Sequence, residues 1–551
     1  MILITSGAYV GHEIAAELGR LPTAFLPVGN RRLFAVQIEL LKESGEEIVL
    51  SLPEDYALPE HDQAFLDRLG VRVLRVQPTV SLAESLQYCL SQLLPLDGPF
   101  RILHGDTLIL DIPFGEDDVF SKGMTDAYYS WAEFREDAGG IRFIEGLPNG
   151  GFNREVLSGY FSFSSPYALL RALSGSRGNF IDALNRYAAS HRLHPLETGK
   201  WFDFGHLQTY YRSKAMLTTE RAFNSLMITS RTVTKSGRNP AKIEAEAGWF
   251  GAVPPALRLY LPAMLESAKG EGAFYQLEYL YLSSLSELFV FGDLPPFLWE
   301  NIFASCDEFL TQARAAKPGA GDAAATDGLY LDKTLERLER FSRENGVDLD
   351  REWRINGRPV PGLSRMAELA ASAIPPVTDK DLGVMHGDFH FANILYDFRH
   401  GIIKALDPRG LTADGRFCVH GDLRYDVAKL HHSVVGRYDF IKADRFACRD
   451  HGGHALSLTL PGSERLDRVE ALFKERTFGG YTLEGASSQA VCVLLFLSML
   501  PLHADRPGHQ LALLANGLRL FADMDALHVA APPKGVAPLA VGRDPLSGFV
   551  R

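Results

Sequence analysis

The chain has 551 residues, too many for one ordinary domain and enough for two to four. Apolar residues make up 46% and charged residues 23%, a balance that fills buried cores and excludes extended disorder. The formal net charge of −12, with no basic stripe, argues against a nucleic-acid partner, because phosphate-backbone binding draws on clustered Lys and Arg.

From its first residues the chain alternates strand-like runs at 2–4, 47–50, 71–74 and 101–103 with helix-like stretches at 33–44 and 81–93. That alternation predicts parallel β-α units in a Rossmann-like, layered α/β sheet whose ligand lies at the carboxyl edge of the strands. A nucleotide is the natural ligand of such an edge. Met1-Ile-Leu-Ile4 runs straight into an apolar strand, without the basic region and small-residue cleavage site of a signal peptide, so a cytoplasmic setting is expected.

Two carboxylates stand out in this half. Asp106, in Ile102-Leu-His-Gly-Asp-Thr-Leu108, lies just past a buried strand and behind a glycine that permits close ligand approach. Asp203, in Lys200-Trp-Phe-Asp-Phe-Gly-His-Leu207, lies in an aromatic-flanked turn. Two distant carboxylates can share one Mg²⁺ that bridges nucleotide phosphates, whereas either alone is more often a turn or cap residue.

These stretches, with Leu21-Pro-Thr-Ala-Phe-Leu-Pro-Val-Gly-Asn30 and Ser158-Gly-Tyr-Phe-Ser-Phe163, resemble the sugar-phosphate nucleotidyltransferases in the order that family shows them. The resemblance implies a nucleotidyltransferase-like domain over 1–218, with CTP or another nucleoside triphosphate as substrate and Asp106 and Asp203 as metal ligands. It departs from the family at two cations. The opening loop, Thr5-Ser-Gly-Ala-Tyr-Val-Gly-His-Glu13, has no arginine, and Thr23 stands where the family carries lysine. Arg20, Arg31 and Arg32 are the nearby candidates to replace them.

Residues 215–224 read as a helix leading directly into a second domain over 222–551, with no flexible tether. There Thr232-Val-Thr-Lys235 ends a β-like stretch and 240–250 opens a helix. A strand lysine followed by a helix glutamate is the pair that positions ATP phosphates in kinases. Lys235 and Glu246 form the expected pair, with Glu244 the alternative because sequence does not fix the helix register.

Further on, Val384-Met-His-Gly-Asp-Phe-His-Phe-Ala-Asn-Ile-Leu395 and Ile403-Lys-Ala-Leu-Asp407 place polar residues in a loop between short apolar strands. At this spacing Asp388 can accept the proton of a substrate hydroxyl, while Asn393 and Asp407 can hold Mg²⁺. The segment resembles the aminoglycoside phosphotransferase and choline kinase family over about 222–530, which implies a two-lobed, protein-kinase-like α+β domain. By that resemblance Asp388 is the catalytic base, Asn393 and Asp407 are metal ligands, and His386 braces the loop. Arg409 can reach a substrate phosphate or acidic group. Asp422 or Asp426, in Gly421-Asp-Leu-Arg-Tyr-Asp426, can cap the next helix or hold the catalytic loop.

The low-complexity stretch 315–328 reads as a surface loop, the tail from 531 as irregular, and the apolar run 490–502 as a buried helix too short to cross a bilayer. Five cysteines without metal-type spacing suit a reducing compartment. The sequence therefore predicts ATP-dependent phosphorylation of a small sugar or alcohol, coupled to nucleotidyl transfer that yields an activated precursor of a surface or capsular polysaccharide. Two alternatives stand beside it: a kinase with a degenerate nucleotide-binding or scaffold domain, and an aminoglycoside-type antibiotic kinase.

Overall fold

The computed structural model describes residues 1–137, 140–146, 153–221, 226–319, 324–326, 328–412 and 414–530. The first half is built on a seven-stranded sheet of β1 (Ile2–Thr5), β2 (Ile48–Pro53), β3 (Arg72–Val76), β4 (Phe100–His104), β5 (Val119–Thr125), β6 (Arg154–Phe163) and β7 (His194–Leu196). The strand order is β7-β5-β6-β4-β1-β2-β3. Ile2, Leu3 and Ile4 are fully buried, as a central parallel strand covered by helices on both faces requires. The edge strand β3 instead exposes Arg72 and Arg75, charges that blunt an open edge.

Strands β1 to β4 run parallel, as the alternation predicts. Strand β6 differs: it lies antiparallel between β4 and β5, so the sheet is mixed. No helix is described between β5 and β6, and a connection that returns without a crossover helix brings its strand in antiparallel. Just past the carboxyl end of β4, Thr107–Ile109 pairs antiparallel with the sequence-distant strand Trp201–Asp203.

Helix α1 (Leu207–Arg221) leads out of this half; the expected boundary at 218 falls within it, and residues 222–225 of the expected joining helix lie outside the described residues. The second half opens with a sheet of β8 (Leu226–Ile228), β9 (Thr232–Ser236), β10 (Met264–Ala268) and β11 (Phe274–Glu278), in the order β8-β9-β11-β10, all antiparallel. Helix α2 (Pro240–Ala252) lies between β9 and β10 in the chain. It begins where Asn239 accepts from the Lys242 N–H and Pro240 occupies the first turn, both favoured helix starts.

A larger, mostly helical lobe follows, containing α3 (Leu331–Asn345), α4 (Arg424–Val434) and α5 (Ser488–Met499) together with β12 (Leu382–Val384), β13 (Ile394–Asp397) and β14 (Ile402–Ala405). Every residue of α4 and α5 with one exception, Gln489, is buried, which accounts for the apolar run at 490–502. No helix among the described residues is long and apolar enough to cross a membrane. The expected loop at 315–328 is only partly described, and the tail from 531 lies outside the described residues. A four-stranded sheet of Arg358–Val360, Trp353–Ile355, Ala455–Thr459 and Ala447–Asp450 packs on this lobe; its strands are too short to announce themselves in the sequence.

The halves share one continuous core that runs from Ile2 through Trp249 to Leu495. At the seam Asp293 N donates to Leu18 O at 2.9 Å, and Arg32 donates to the carbonyls of Phe25 at 2.7 Å and Phe291 at 2.8 Å. Asp62 sits between Arg32 and Arg445, all three buried. Lys214 of α1 pairs with Glu287 at 2.8 Å. The two halves thus meet through packed side chains and buried charges rather than through the chain connection alone.

Candidate active sites

In the second half, β9 and β11 pair in a register that sets Lys235 opposite Tyr275. The Lys235 ammonium lies 2.8 Å from Glu246 of α2 and 3.0 Å from Asp407. Tyr275 donates to Glu246 at 2.9 Å and to Asp407 at 3.3 Å, tying strand, helix and loop together. Burial alone would pull Lys235 down, but Asp407 and Glu246 hold its ammonium above the ordinary lysine value. Glu244 is turned away and accepts from the Gly270 N–H at 2.7 Å, so the helix register selects Glu246.

The loop between β12 and β13 carries Asp388. It is held by Asp426 on α4, whose carboxylate accepts from His386 N at 2.7 Å and Gly387 N at 2.8 Å. Burial pushes the Asp426 carboxyl up to about 7, and those two N–H donors oppose the rise. Gly387 takes φ +78°, and a Cβ there would meet the Arg409 Cβ at 2.7 Å, so glycine is required on both counts. His386 is fully buried, accepts from Asp388 N at 3.2 Å through Nδ1, and is driven down to about 4 by burial. It is a neutral brace in this geometry. Asp422, the other acid weighed for the brace, instead pairs with Arg424 at 2.7 Å.

Asn393 donates to Asp388 Oδ2 at 2.9 Å and to its carbonyl at 3.0 Å. Leu406 N in turn donates to Asn393 O at 2.8 Å, which seats Asp407 beside Asn393 at the end of the β13–β14 hairpin. Asp407 has φ +55° and a side chain 46% exposed, so its carboxylate faces the cleft rather than the core. Asp388 pairs with Lys429 of α4 at 2.7 Å, with His390 at 3.5 Å. Burial would raise the Asp388 carboxyl, yet the Lys429 ammonium outweighs it and holds the group well below the usual carboxylate range.

This oxygen pair, a carboxylate and an amide with no third ligand, fits Mg²⁺, which takes one or two protein oxygens and completes its shell with water and phosphate. Among the described residues no group of three or more His, Cys, Asp or Glu converges, so a closed protein cage for a metal is not formed.

In the first half, Asp203 lies opposite Thr107 in the short antiparallel strand pair, and Phe204 N donates to Asp106 O at 2.8 Å. The two carboxylates meet over Gly205, where a Cβ would lie 2.7 Å from Asp106 Oδ2 and 3.4 Å from Asp203 Oδ1. Asp203 also accepts from the Thr209 hydroxyl and lies 3.3 Å from His206 Nδ1. Burial and then the Asp203 charge push Asp106 up to about 6, the mark of two carboxylates sharing a site that a divalent cation would relieve. Gly105 permits the approach of β1 to this edge: a Cβ there would fall 2.5 Å from both Thr23 Oγ1 and Thr5 O.

Beside Asp106 lies a cavity of about 180 Å³ whose polar lining includes Thr5, Thr23, Ser81, Ser85 and His104, and no Lys or Arg. The three arginines considered as replacements are engaged elsewhere. Arg20 pairs with Asp55 at 3.0 Å and lies over the Tyr9 ring, Arg31 pairs with Glu39, and Arg32 is buried in the seam. None of them takes the place of the missing cations.

Sequence reasoning missed Tyr275 and Lys429. Lys429 follows Asp426 by three residues on a helix, a spacing that puts both on the face turned to the catalytic loop, and that signal was present. Tyr275 had none, because its role depends on strand register.

The chain is similar to several solved structures. A nucleoside-diphosphate-sugar pyrophosphorylase from Vibrio cholerae is 18% identical, with 39% of this chain and 99% of that one covered and a TM-score of 0.30. The inositol-1-phosphate CTP transferase from T. maritima is 16% identical over 39% and 96%, with a TM-score of 0.30. An aminoglycoside-3'-phosphotransferase of type VIII is 17% identical over 48% and 99%, with a TM-score of 0.27. No protein-family model and no curated protein matches the chain.

Lys235→Met is expected to lower ATP-dependent turnover roughly 10²-fold, the usual cost of one electrostatic donor at a charge-bearing site. Glu244→Gln should leave it near wild type. Steady-state kinetics with varied ATP check both, and equal losses in the two variants would remove the Lys235–Glu246 pair from the nucleotide site.

Proposed function

We propose that this chain is an ATP-dependent kinase of a small sugar or alcohol whose first half binds a second nucleotide and activates the phosphorylated product. One observation carries the reading: Lys235, Glu246, Asn393, Asp407 and Asp388 converge from separate elements within one connected set of hydrogen bonds and ion pairs. Asp388 accepts or orients the hydroxyl proton as the oxygen attacks the γ-phosphorus of ATP. The bond from that phosphorus to the bridging oxygen breaks, and ADP leaves. Lys235 steadies the nucleotide phosphates, and Asn393 and Asp407 would hold Mg²⁺, which neutralises phosphate charge when bound.

Asp106 and Asp203 support a Mg²⁺-nucleotide site in the first half, with CTP as one candidate. Transfer of a nucleotidyl group to the kinase product would give an activated precursor, of the sort a surface or capsular polysaccharide consumes. Five cysteines with no disulfide among the described residues, together with dependence on ATP, suit the cytoplasm. A second reading has its own support: the cavity beside Asp106 lacks any cation to neutralise a triphosphate, which favours nucleotide binding without rapid turnover.

The test supplies the full chain with ATP, Mg²⁺ and a panel of sugars, alcohols and their acids, with mass spectrometry to find the monophosphate. Adding CTP, UTP, GTP or dTTP in turn then tests for pyrophosphate and a nucleotide-linked product. A Mg²⁺-dependent calorimetric signal for one of these nucleotides is expected in Asp388→Asn, where the kinase step is silenced, and is expected to vanish on adding Asp106→Ala. Monophosphate without nucleotide-linked product would select the second reading, and survival of the signal in the Asp106 variant would put the site elsewhere.

A further inference from the structure

A second cavity, of about 180 Å³, is lined by Asp388 and does not include Lys235. Its charged lining is Lys333 and Arg337 from α3, Lys429 from α4, and Asp388 itself. Asp388 is already neutralised by Lys429 at 2.7 Å. Lys333 and Arg337 are left without an ion pair among the described residues. The Lys333 ammonium donates to the Tyr425 hydroxyl at 3.1 Å, and Arg337 donates to the Ser498 carbonyl at 3.1 Å.

Arg409, held by its backbone to His386, adds its charge to both. Burial alone would push the Tyr425 phenol up, but Lys333, Lys429 and Arg409 together pull it down to about 8, which reports a strongly positive field. Glu336, an acid that acts on Arg337, is exposed and makes no ion pair with it among the described residues. Holding like charges together in a half-buried cleft costs stability, and a fold tolerates it where an anionic ligand supplies the balance.

Resting on the kinase reading of Asp388, we infer that the phosphate acceptor is itself an anion: a small hydroxylated molecule bearing a carboxylate or phosphate that Lys333 and Arg337 grip while its hydroxyl meets Asp388. Guanidinium and ammonium together suit either oxyanion, the first by paired N–H donors and the second as a point charge. A polycationic acceptor of the aminoglycoside type would meet repulsion from the same groups. The transfer then proceeds as for any alcohol: the acceptor oxygen bonds to the γ-phosphorus of ATP, ADP departs, and the hydroxyl proton passes by way of Asp388 to solvent.

The test titrates the full chain, saturated with Mg-ADP, with matched probes: glycerol, glycerate and glycerol 3-phosphate, and glucose, gluconate and glucose 6-phosphate. At least one anionic member is expected to bind tenfold or more tighter than its uncharged counterpart. The carboxylate and phosphate arms identify which oxyanion is preferred. That binding is expected to weaken tenfold or more in Lys333→Gln and Arg337→Gln, with ADP affinity and unfolding midpoint retained. The inference is overturned if the uncharged probes or kanamycin bind better than every anion, or if both Gln variants bind the preferred anion like wild type. The kinase reading fails separately: ATP turnover on any acceptor that survives Asp388→Asn would sink it whatever the probes do.

Discussion

Asp388→Asn should lower phosphoryl transfer by roughly 10²–10⁴-fold, the range for losing a positioned acid or base. The substitution is isosteric, and the loop does not depend on the carboxylate for its shape. Asp426 holds the His386 and Gly387 amides, and Arg409 N holds the His386 carbonyl at 2.8 Å. What the substitution does disturb is Lys429, whose side chain is 11% exposed and loses its only carboxylate partner among the described residues.

A buried ion broken from its partner costs several kcal/mol, but Asp388 is 40% exposed and solvent screens the pair, so about 1 kcal/mol of stability is the expected loss. Adding Lys429→Met to Asp388→Asn should return most of that stability and none of the activity. Chemical denaturation and single-turnover assays on the two singles and the double separate the effects. Full turnover in the Asp388 variant, with the fold intact, would remove Asp388 from the chemistry.

Much of this site was legible because the residues that do local work lie close in sequence. Asp388 and Asn393 occupy one loop, and the flanking apolar runs fix that loop between strands. Asp106 was legible for a similar reason, since a glycine behind it marks a strand end open to a ligand. Asp203 was singled out by its aromatic-flanked turn, and what sequence could not show is the antiparallel strand pair that sets Asp203 opposite Thr107.

Other features were illegible because they depend on register or on three-dimensional charge balance. Glu246 and Glu244 are equally good by composition, and only the helix rotation, with Gly270 taking Glu244, separates them. The antiparallel entry of β6 depends on the connection that precedes it rather than on its own residues. The seam was invisible for the same reason. Arg32 reads as a free cation near a phosphate loop, yet it lies buried between Phe25, Phe291 and Asp62.

That seam yields the second large effect, an expected loss of about 3–5 kcal/mol in Asp62→Ala, the cost of removing one partner from a buried ion pair. Asp62 is 3% exposed and faces two guanidiniums, Arg32 at 3.5 Å on its own half and Arg445 in hydrogen-bond contact from the other, with exposures of 5% and 7%. Arg465 adds a third nearby positive charge, and burial, only partly opposed by Asp293, drives its guanidinium down to about 10. Removing the carboxylate therefore strands Arg32 and Arg445, which have no other ion pair among the described residues.

Arg445→Met alone should cost less, because Asp62 keeps Arg32. The double variant should lie closer to wild type than the two losses added together, since the methionine removes the charge that the alanine leaves unpaired. Urea unfolding followed by tryptophan fluorescence and far-UV dichroism measures all four proteins. Strict additivity within about 0.5 kcal/mol would mean that Asp62 and Arg445 do not couple across the seam. A coupling of 1 kcal/mol or more would establish that the two halves are held by a specific buried charge pair as well as by apolar packing. It would also give a direct means of loosening the first half from the second without touching either set of candidate site residues.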